Sequence, residues 1–360
     1  MAVGDSIVGI SGTGTVSDPY KPTTFGEFLT CIAVSSAYVC LENDIDVSKD
    51  SVYKTGISNY LDIKSTCIFG TAMTYNSATT YNQNDKCTWN DGDHGLCTYT
   101  CNINGTVGID VSDTTHWTRG GNPTKKITGL MVTHTSFMYM SSACEIDNIF
   151  FESCVFDKSG GYNACICSSA NTVFNDCSMS FFYNQHSMMP FTIAALSTSI
   201  SITLNRCSAY FRYNSVDLSS GTEYSWIFSG ASTYFNNCTI DIENINIMTT
   251  TNPQDNPFIR NLNGCSLRCV CNLYAYGDPG TYYNDLGFSG TNSFFSITVD
   301  NAEPNIIFDL YPVNMVGTSV IDKDVIGSQA SLQANANVVQ GTTAQCKDKN
   351  WLISHGFFAS

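Results

Sequence analysis

Two groups of side chains in this 360-residue chain have the spacing that chemistry requires. Glycosidic bond cleavage needs two carboxylates on one face, about 5–5.5 Å apart for a retaining mechanism or 6.5–9.5 Å for an inverting one. Asp241 and Glu243, two apart in an extended stretch, are predicted to stand about 6–7 Å from each other. Only the spacing marks them, and solvated acids on an outer face are the expectation. Cys87, His94, Cys97 and Cys101 lie close enough to complete a zinc tetrahedron. No CxxC knuckle is present, however, and Asp91-Gly92-Asp93 reads equally as a turn or a weak calcium loop, so a structural loop is expected. His116, His134, His186 and His355 occur singly, with no Ser or Cys partner at a nucleophile–base spacing. There is no GxSxG, phosphate loop or dinucleotide fingerprint. No residue is assigned a catalytic, cofactor-binding or metal role on these grounds, and no cofactor is expected.

The 17 cysteines are odd in number, in a long chain, and several lie where a bridge would not explain them. Cys165 and Cys167, like Cys269 and Cys271, would put both thiols on one face of a strand. Free thiols acting as small hydrophobes in a buried wall fit better, which implies a reducing cytosol. Five cysteines sit in copies of one phrase: Phe151-Glu152-Ser153-Cys154-Val155, Phe174-Asn175-Asp176-Cys177-Ser178, Leu204-Asn205-Arg206-Cys207-Ser208, Phe235-Asn236-Asn237-Cys238-Thr239 and Leu262-Asn263-Gly264-Cys265-Ser266. The phrase reads as one coil of a solenoid that turns a corner at the Asn, a residue tolerant of left-handed backbone. After the corner the Cys and the apolar residue two later (Phe156, Met179, Ala209, Ile240, Leu267) face inward, so successive coils stack Cys on Cys. In that register Glu152 and Asp176 become neighbours, while Asp157 and Asp241 share a position three coils apart, about 14 Å, too far to cooperate.

The elements that must position these residues are strands. Only 13% of residues are charged, against about 25% in an average protein, while 12% are aromatic, which excludes a disordered chain, a coiled coil and most helical proteins. A net charge of -15 disfavours binding to nucleic acid. The N-terminal residues have neither the basic nor the apolar region of a signal peptide, and no run long enough to span a bilayer is present. Thr24 and Glu27 form a capping box that opens a helix from Phe25 to about Val34, followed by a strand over Ala37–Leu41. From residue 47 to 325 short Ile-, Val-, Phe- and Thr-rich runs alternate with Asn, Gly, Asp and Ser clusters, the all-β pattern. An antiparallel sandwich or barrel is the alternative to the solenoid. About 260 residues at 20 to 30 per coil give roughly ten coils and a rod of about 45 Å. Asn184–Pro190 and Ser219–Tyr224 are expected to project as loops. Residues 326–360 read as a polar linker followed by an apolar segment at Trp351, Leu352, Ile353, Phe357 and Phe358. The aromatic runs Phe181-Phe182-Tyr183, Tyr210-Phe211-Arg212-Tyr213 and Tyr234-Phe235, with Tyr274, Tyr276, Tyr282 and Tyr283, are divided between core and an exposed stripe in a way the sequence leaves open.

Gly12-Thr13-Gly14-Thr15, Asp18-Pro19-Tyr20, Phe25-Gly26-Glu27-Phe28-Leu29 and the strand before Asp44-Ile45-Asp46 resemble the opening of pectate-lyase-like β-helix proteins of tailed bacteriophages. Gln345, Lys347-Asp348, Trp351-Leu352 and Gly356-Phe357 are similar to a short terminal motif of such proteins. The resemblance implies a virion component, a head fibre, capsid decoration or tail-associated protein, commonly a homotrimer and assembled in the bacterial cytoplasm. The expectation is therefore an all-β chain built as a right-handed, single-stranded parallel β-helix, with an N-terminal anchor and capping helix (1–46), the β-helix (47–325) and a small C-terminal tail segment (326–360). It would be a non-enzymatic structural or adhesive protein whose partners are other virion proteins and a host surface glycan, with no nucleic acid and no membrane. A tailspike-type depolymerase or lyase on the same scaffold is the alternative, and a bacterial adhesin a weaker one.

Overall fold

The computed structural model describes residues 2–90, 92–134, 136–157, 163–185, 190–195, 199–213, 228–229, 233–249, 259–275, 282–291, 294–302, 306–312, 319–322, 330–332, 338–346 and 348–355. Among them the chain is mostly β, and three sheets are parallel throughout. The first sheet has ten strands, in order Tyr38–Leu41, Cys67–Gly70, Cys144–Asp147, Thr172–Asn175, Ile202–Asn205, Thr233–Asn236, Ile259–Asn263, Tyr282–Thr291, Ile306–Pro312 and Ala330–Leu332. The second runs from Ile45–Asp46 and Lys125–Thr128 through Ile149–Asp157, Ser178–Gln185, Ser208–Tyr213, Thr239–Thr249 and Ser266–Ala275 to Val338–Gly341. A third, of five strands, runs from Leu61–Ile63 to Phe228–Ser229. From Cys144 to Ser229 the chain visits the three sheets in strict rotation, and from Thr233 onward it alternates between the first two. Parallel pairing rules out the antiparallel sandwich.

The capping box forms as expected. Thr24 Oγ1 accepts from the Glu27 amide at 3.3 Å and Glu27 Oε2 accepts from the Thr24 amide at 3.2 Å, so the helix Phe25–Ile32 starts with its free N–H groups satisfied. Its buried residues Phe25, Phe28, Cys31 and Ile32 pack into the main core. That core is lined by apolar rows, one residue per strand: Ile68, Ile146, Phe174, Leu204 and Phe235 from the first sheet, and Phe181, Phe211 and Ile242 from the second. Each row is the β-sheet period of two expressed as burial.

The corners differ from the sequence reading in two ways. The left-handed residue is the one after the Asn: Asp176, Arg206 and Asn237 have φ of 52°, 53° and 53°, and Gly264 has 62°. The Asn itself ends the strand, which frees its side chain for another task. Second, the phrase at Cys154 is out of register. Asp147 lies opposite Asn175 and Phe150 opposite Ser178, so Ile146-Asp147-Asn148-Ile149 is the true equivalent, with Asn148 left-handed at φ 58°. Cys154 instead lies opposite Phe181 beyond a β-bulge, and Ser153 at φ 52° supplies a separate corner. Glu152 therefore lies opposite Thr128 and is no neighbour of Asp176, and Asp157 lies opposite Gln185, a different position from Asp241.

Two further features were not expected. Between the second and third strands of the first sheet, Lys86–Asn90, Leu96–Cys101 and Trp117–Arg119 form a small antiparallel sheet, with Met73–Thr74 on its edge. It has its own core of Tyr81, Cys87, Cys97, Tyr99, Cys101, Val111 and Trp117. The polar stretch read as a linker carries Ala330–Leu332 and Val338–Gly341, which extend the first and second sheets. Backbone hydrogen bonds to a preceding strand do not require apolar side chains, which explains why composition missed them. Thr343–Cys346 and Lys349–Ser354 are short helices that follow. Of the stretch expected to project at Asn184–Pro190, Asn184 and Gln185 end one strand and Pro190 begins another, so the expected loop is shorter than its sequence bounds. Residues 186–189 and 219–224, and Phe357 and Phe358, lie outside the described residues.

Candidate functional site

The strand-ending asparagines form one continuous ladder. Asn263 Nδ2 donates to Asn236 Oδ1 at 2.9 Å, Asn236 to Asn205 at 2.8 Å, Asn205 to Asn175 at 2.9 Å, and Asn175 to Asp147 Oδ1 at 2.8 Å. An amide carries both a donor and an acceptor, so each Asn satisfies its neighbour on either side. Beneath the ladder the cysteines make a second one. Cys177, Cys207, Cys238 and Cys265 donate their S–H to the carbonyls of Ile146, Phe174, Leu204 and Phe235 in the preceding strand, at 3.1–3.5 Å. These thiols are buried and free, as are Cys31, Cys40, Cys67, Cys87, Cys97, Cys101, Cys144 and Cys154. The side chains of Cys165, Cys167, Cys269 and Cys271 lie outside the described residues.

Burial pushes the pKa of the Cys31, Cys87, Cys144 and Cys154 thiols up to about 12 from an ordinary 9.0. Because the thiolate is the attacking species, alkylation of these four in the native protein is expected to be about a thousandfold slower than in the unfolded chain. Mass mapping after a pulse of iodoacetamide reads this directly. Rapid labelling of Cys144 or Cys154 in folded protein would contradict their packing.

The carboxylate pair whose spacing suits hydrolysis is built on the second sheet, where one guanidinium engages both acids. Asp241 lies opposite Tyr210 on one side and Arg268 on the other. The Arg268 guanidinium donates to Asp241 Oδ2 at 2.8 Å and also to Glu243, while Tyr210 OH donates to Glu243 Oε2 at 2.8 Å. Arg268 foremost, with the Tyr210 hydroxyl, holds Glu243 below the usual carboxylate range, and the two acids raise the already high pKa of Arg268. A general acid needs the opposite shift. Glu152 is likewise held, by Lys126 at 2.7 Å and Thr128 at 3.0 Å, and Asp176 by a two-pronged pair with Arg206 at 2.8 and 2.7 Å. The Asp157 side chain lies outside the described residues.

Cys87, Cys97 and Cys101 face the core of the small sheet, where Cys97 donates to the His94 carbonyl and Cys101 to that of Ile103. They do not converge on a common point with the His94 ring. His116 bonds Asp113 at 3.1 Å, and His134 stacks edge-on against Tyr60 at 5.0 Å. His355 Nδ1 lies 3.1 Å from Ser354 Oγ, but also 2.8 Å from the Trp351 carbonyl, to which it must donate. A nitrogen carrying that proton has no lone pair with which to activate the serine. Of the aromatics, Phe181, Phe211 and Phe235 are core, Phe182 and Tyr210 are half-buried, and Tyr234 is exposed. His186 and Tyr276, and the side chains of Tyr183, Tyr213, Tyr274, Tyr282 and Tyr283, lie outside the described residues.

Sequence reasoning missed one group. Cys67, Glu145 and Asp147 are the residues among those described whose metal-ligating atoms all fall within 4.8 Å of one another. The register that brings Cys67 opposite Glu145 links strands almost eighty positions apart, with the small sheet between, so no local spacing announces it.

No family model, curated protein or solved structure matches the chain.

Proposed function

We propose that this chain is a right-handed parallel β-helix serving as a structural or adhesive bacteriophage virion protein. The observation that carries the reading is the pair of long parallel sheets whose strands alternate along the chain, locked by the asparagine and cysteine ladders. Crossover connections between parallel strands are right-handed in nearly all proteins, which supports the hand. Ten strands in the first sheet agree with the roughly ten coils expected, and at about 4.8 Å per strand they make a rod near 45 Å. Such a rod works by rigidity and presentation. Edge-to-edge hydrogen bonding resists bending, and projecting loops meet capsid or tail proteins and a host glycan. A homotrimer in the virion is the proposed assembly.

The engagement of both Asp241 and Glu243 by Arg268, which holds Glu243 ionised, favours presentation over hydrolysis on this scaffold. Incubation of purified protein with capsular and cell-wall polysaccharides of plausible hosts is expected to release no new reducing ends. Release that disappears in Asp241→Asn or Glu243→Gln would overturn the non-enzymatic reading. Light scattering is expected to give three times the chain mass, and antibody labelling of assembled particles to place the protein on the virion. A monomer mass would remove the trimer.

A further inference from the structure

Along the first sheet the outward positions form two columns. One holds Phe69, Asp147, Asn175, Asn205, Asn236 and Asn263, and the other, two residues earlier, holds Cys67, Glu145, Val173, Thr203 and Tyr234. Where Cys67–Gly70 meets Cys144–Asp147, three of the four positions in these columns carry metal-ligating residues, the fourth being Phe69. The asparagine ladder would continue with an Asn at 147, yet the chain places a carboxylate there, 1% exposed, beside a second carboxylate. Asn175 Nδ2 must serve both, at 2.8 Å to Asp147 and 2.7 Å to Glu145. No Lys or Arg among the described residues lies within ion-pair distance of either acid. Burying a carboxylate without a counter-charge costs several kcal/mol, about the stability margin of many domains.

The thiol adds a second, separate observation. Cys67 is 2% exposed, and its sulfur lies within 4.8 Å of an oxygen of each carboxylate. The four ladder cysteines all donate their thiols to backbone carbonyls, whereas the Cys67 thiol makes no hydrogen bond. It is a buried, unpartnered donor aimed at the two acids. Nearby, Thr74 donates its amide to Asp147 Oδ2 at 3.4 Å, which ties the edge of the small antiparallel sheet to the same carboxylate. The adjoining side chain of Asn148, fully buried, donates to the Ala72 carbonyl and to Thr88 Oγ1, both in the same insertion.

We propose that Cys67, Glu145 and Asp147 bind a divalent cation of the zinc type, which bridges two neighbouring strands of the first parallel sheet at the point where the small antiparallel sheet is inserted between them in sequence. One sulfur and two oxygen donors suit a borderline ion such as Zn²⁺ better than Mg²⁺ or Ca²⁺, which take oxygen alone. Three protein donors leave a position for water. The donor atoms, all within 4.8 Å of one another, need close only slightly to reach tetrahedral contact. On binding, Cys67 gives its thiol proton to solvent and the sulfur lone pair forms the bond to the metal, with no change in oxidation state.

The test uses the full chain, stripped with EDTA, kept reduced and titrated with Co²⁺ as a spectroscopic probe, with folding followed by far-UV circular dichroism. A single equivalent is expected to bind with a thiolate-to-cobalt charge-transfer band, and Zn²⁺ should displace it. Cys67→Ser should abolish the band, Asp147→Asn and Glu145→Gln should weaken binding at least about tenfold, and Asp241→Asn should leave it unchanged. Folded wild-type protein that shows no band, or a band that survives in Cys67→Ser, overturns the site. If Cys67→Ser does not fold, Asp147→Asn decides, since unaltered cobalt affinity in that variant overturns the site equally.

Discussion

Metal-free protein is expected to lose up to about 4 kcal/mol of stability between pH 4 and pH 8, and Asp147→Asn to abolish most of that loss. The cause is one side chain. Burial foremost, then the nearby charge of Glu145, pushes the Asp147 carboxyl up to about 7 from 3.8, against the opposing bonds from Asn175 and Thr74. The folded state therefore holds this proton more tightly than the unfolded chain does. Its contribution is fully present below pH 3.8 and falls away as the pH rises to about 7, above which both states are ionised and the curve flattens. The groups around it are Glu145 on its own strand, Cys67 and Cys144 beside it, and Asp176 and Arg206 from later repeats. Carboxylates with lowered pKa, such as Glu27, Glu152 and Glu243, act in the opposite sense and chiefly below their ordinary value of 4.5, under the pH 5 to pH 8 comparison. Asparagine at 147 would accept from Asn175 as the ladder does elsewhere and offer its own amide to Glu145. Urea unfolding in EDTA at pH 5 and pH 8 reads the effect. A wild-type midpoint that rises with pH across that range, or an Asp147→Asn protein less stable at pH 8, would contradict it.

Phe181→Ala is expected to destabilise the fold by about 3–5 kcal/mol. The ring is fully buried, stacked on Phe211 at 6.0 Å and Phe151 at 6.4 Å, and meets Phe137 of the third sheet edge-on at 4.8 Å. It thus joins two neighbours in its own sheet to the sheet across the core. Removing it forfeits the transfer free energy of the ring and leaves a cavity that strands held in parallel register cannot collapse to fill. Phe182→Ala, one residue along on the half-buried face, should cost under about 1.5 kcal/mol. Equal losses for the two, by urea or thermal unfolding, would show that the sheet faces are not divided as described.

Much of the architecture was legible because its causes are local or repetitive. The helix at Phe25–Ile32 follows from Thr24 and Glu27 three residues apart, and the strands from side chains that alternate along short runs. The apolar row and the buried cysteine row were readable because a period of two does not depend on what lies opposite. Where the reading depended on which strand lies beside which, it slipped. Cys154 carries the same phrase as Cys177, yet a bulge shifts it into a different place. The corner was assigned to the Asn, although the next residue takes the left-handed turn, because composition shows which residues tolerate a bend and not which of two neighbours makes it.

The sequence by itself determined that this is a β-rich chain that repeats one cysteine-bearing phrase and opens with a capped helix, and it left parallel and antiparallel stacking both open. Only the tertiary structure decided that Arg268 pairs with both Asp241 and Glu243, that the asparagines bond to one another in a ladder, and that Cys67 meets Glu145 and Asp147. The physical reason is the same in each case. A residue's type sets which bonds it can make, but its charge state and its partner are set by side chains roughly 25 to 80 positions away that pairing of strands brings within a hydrogen bond's length.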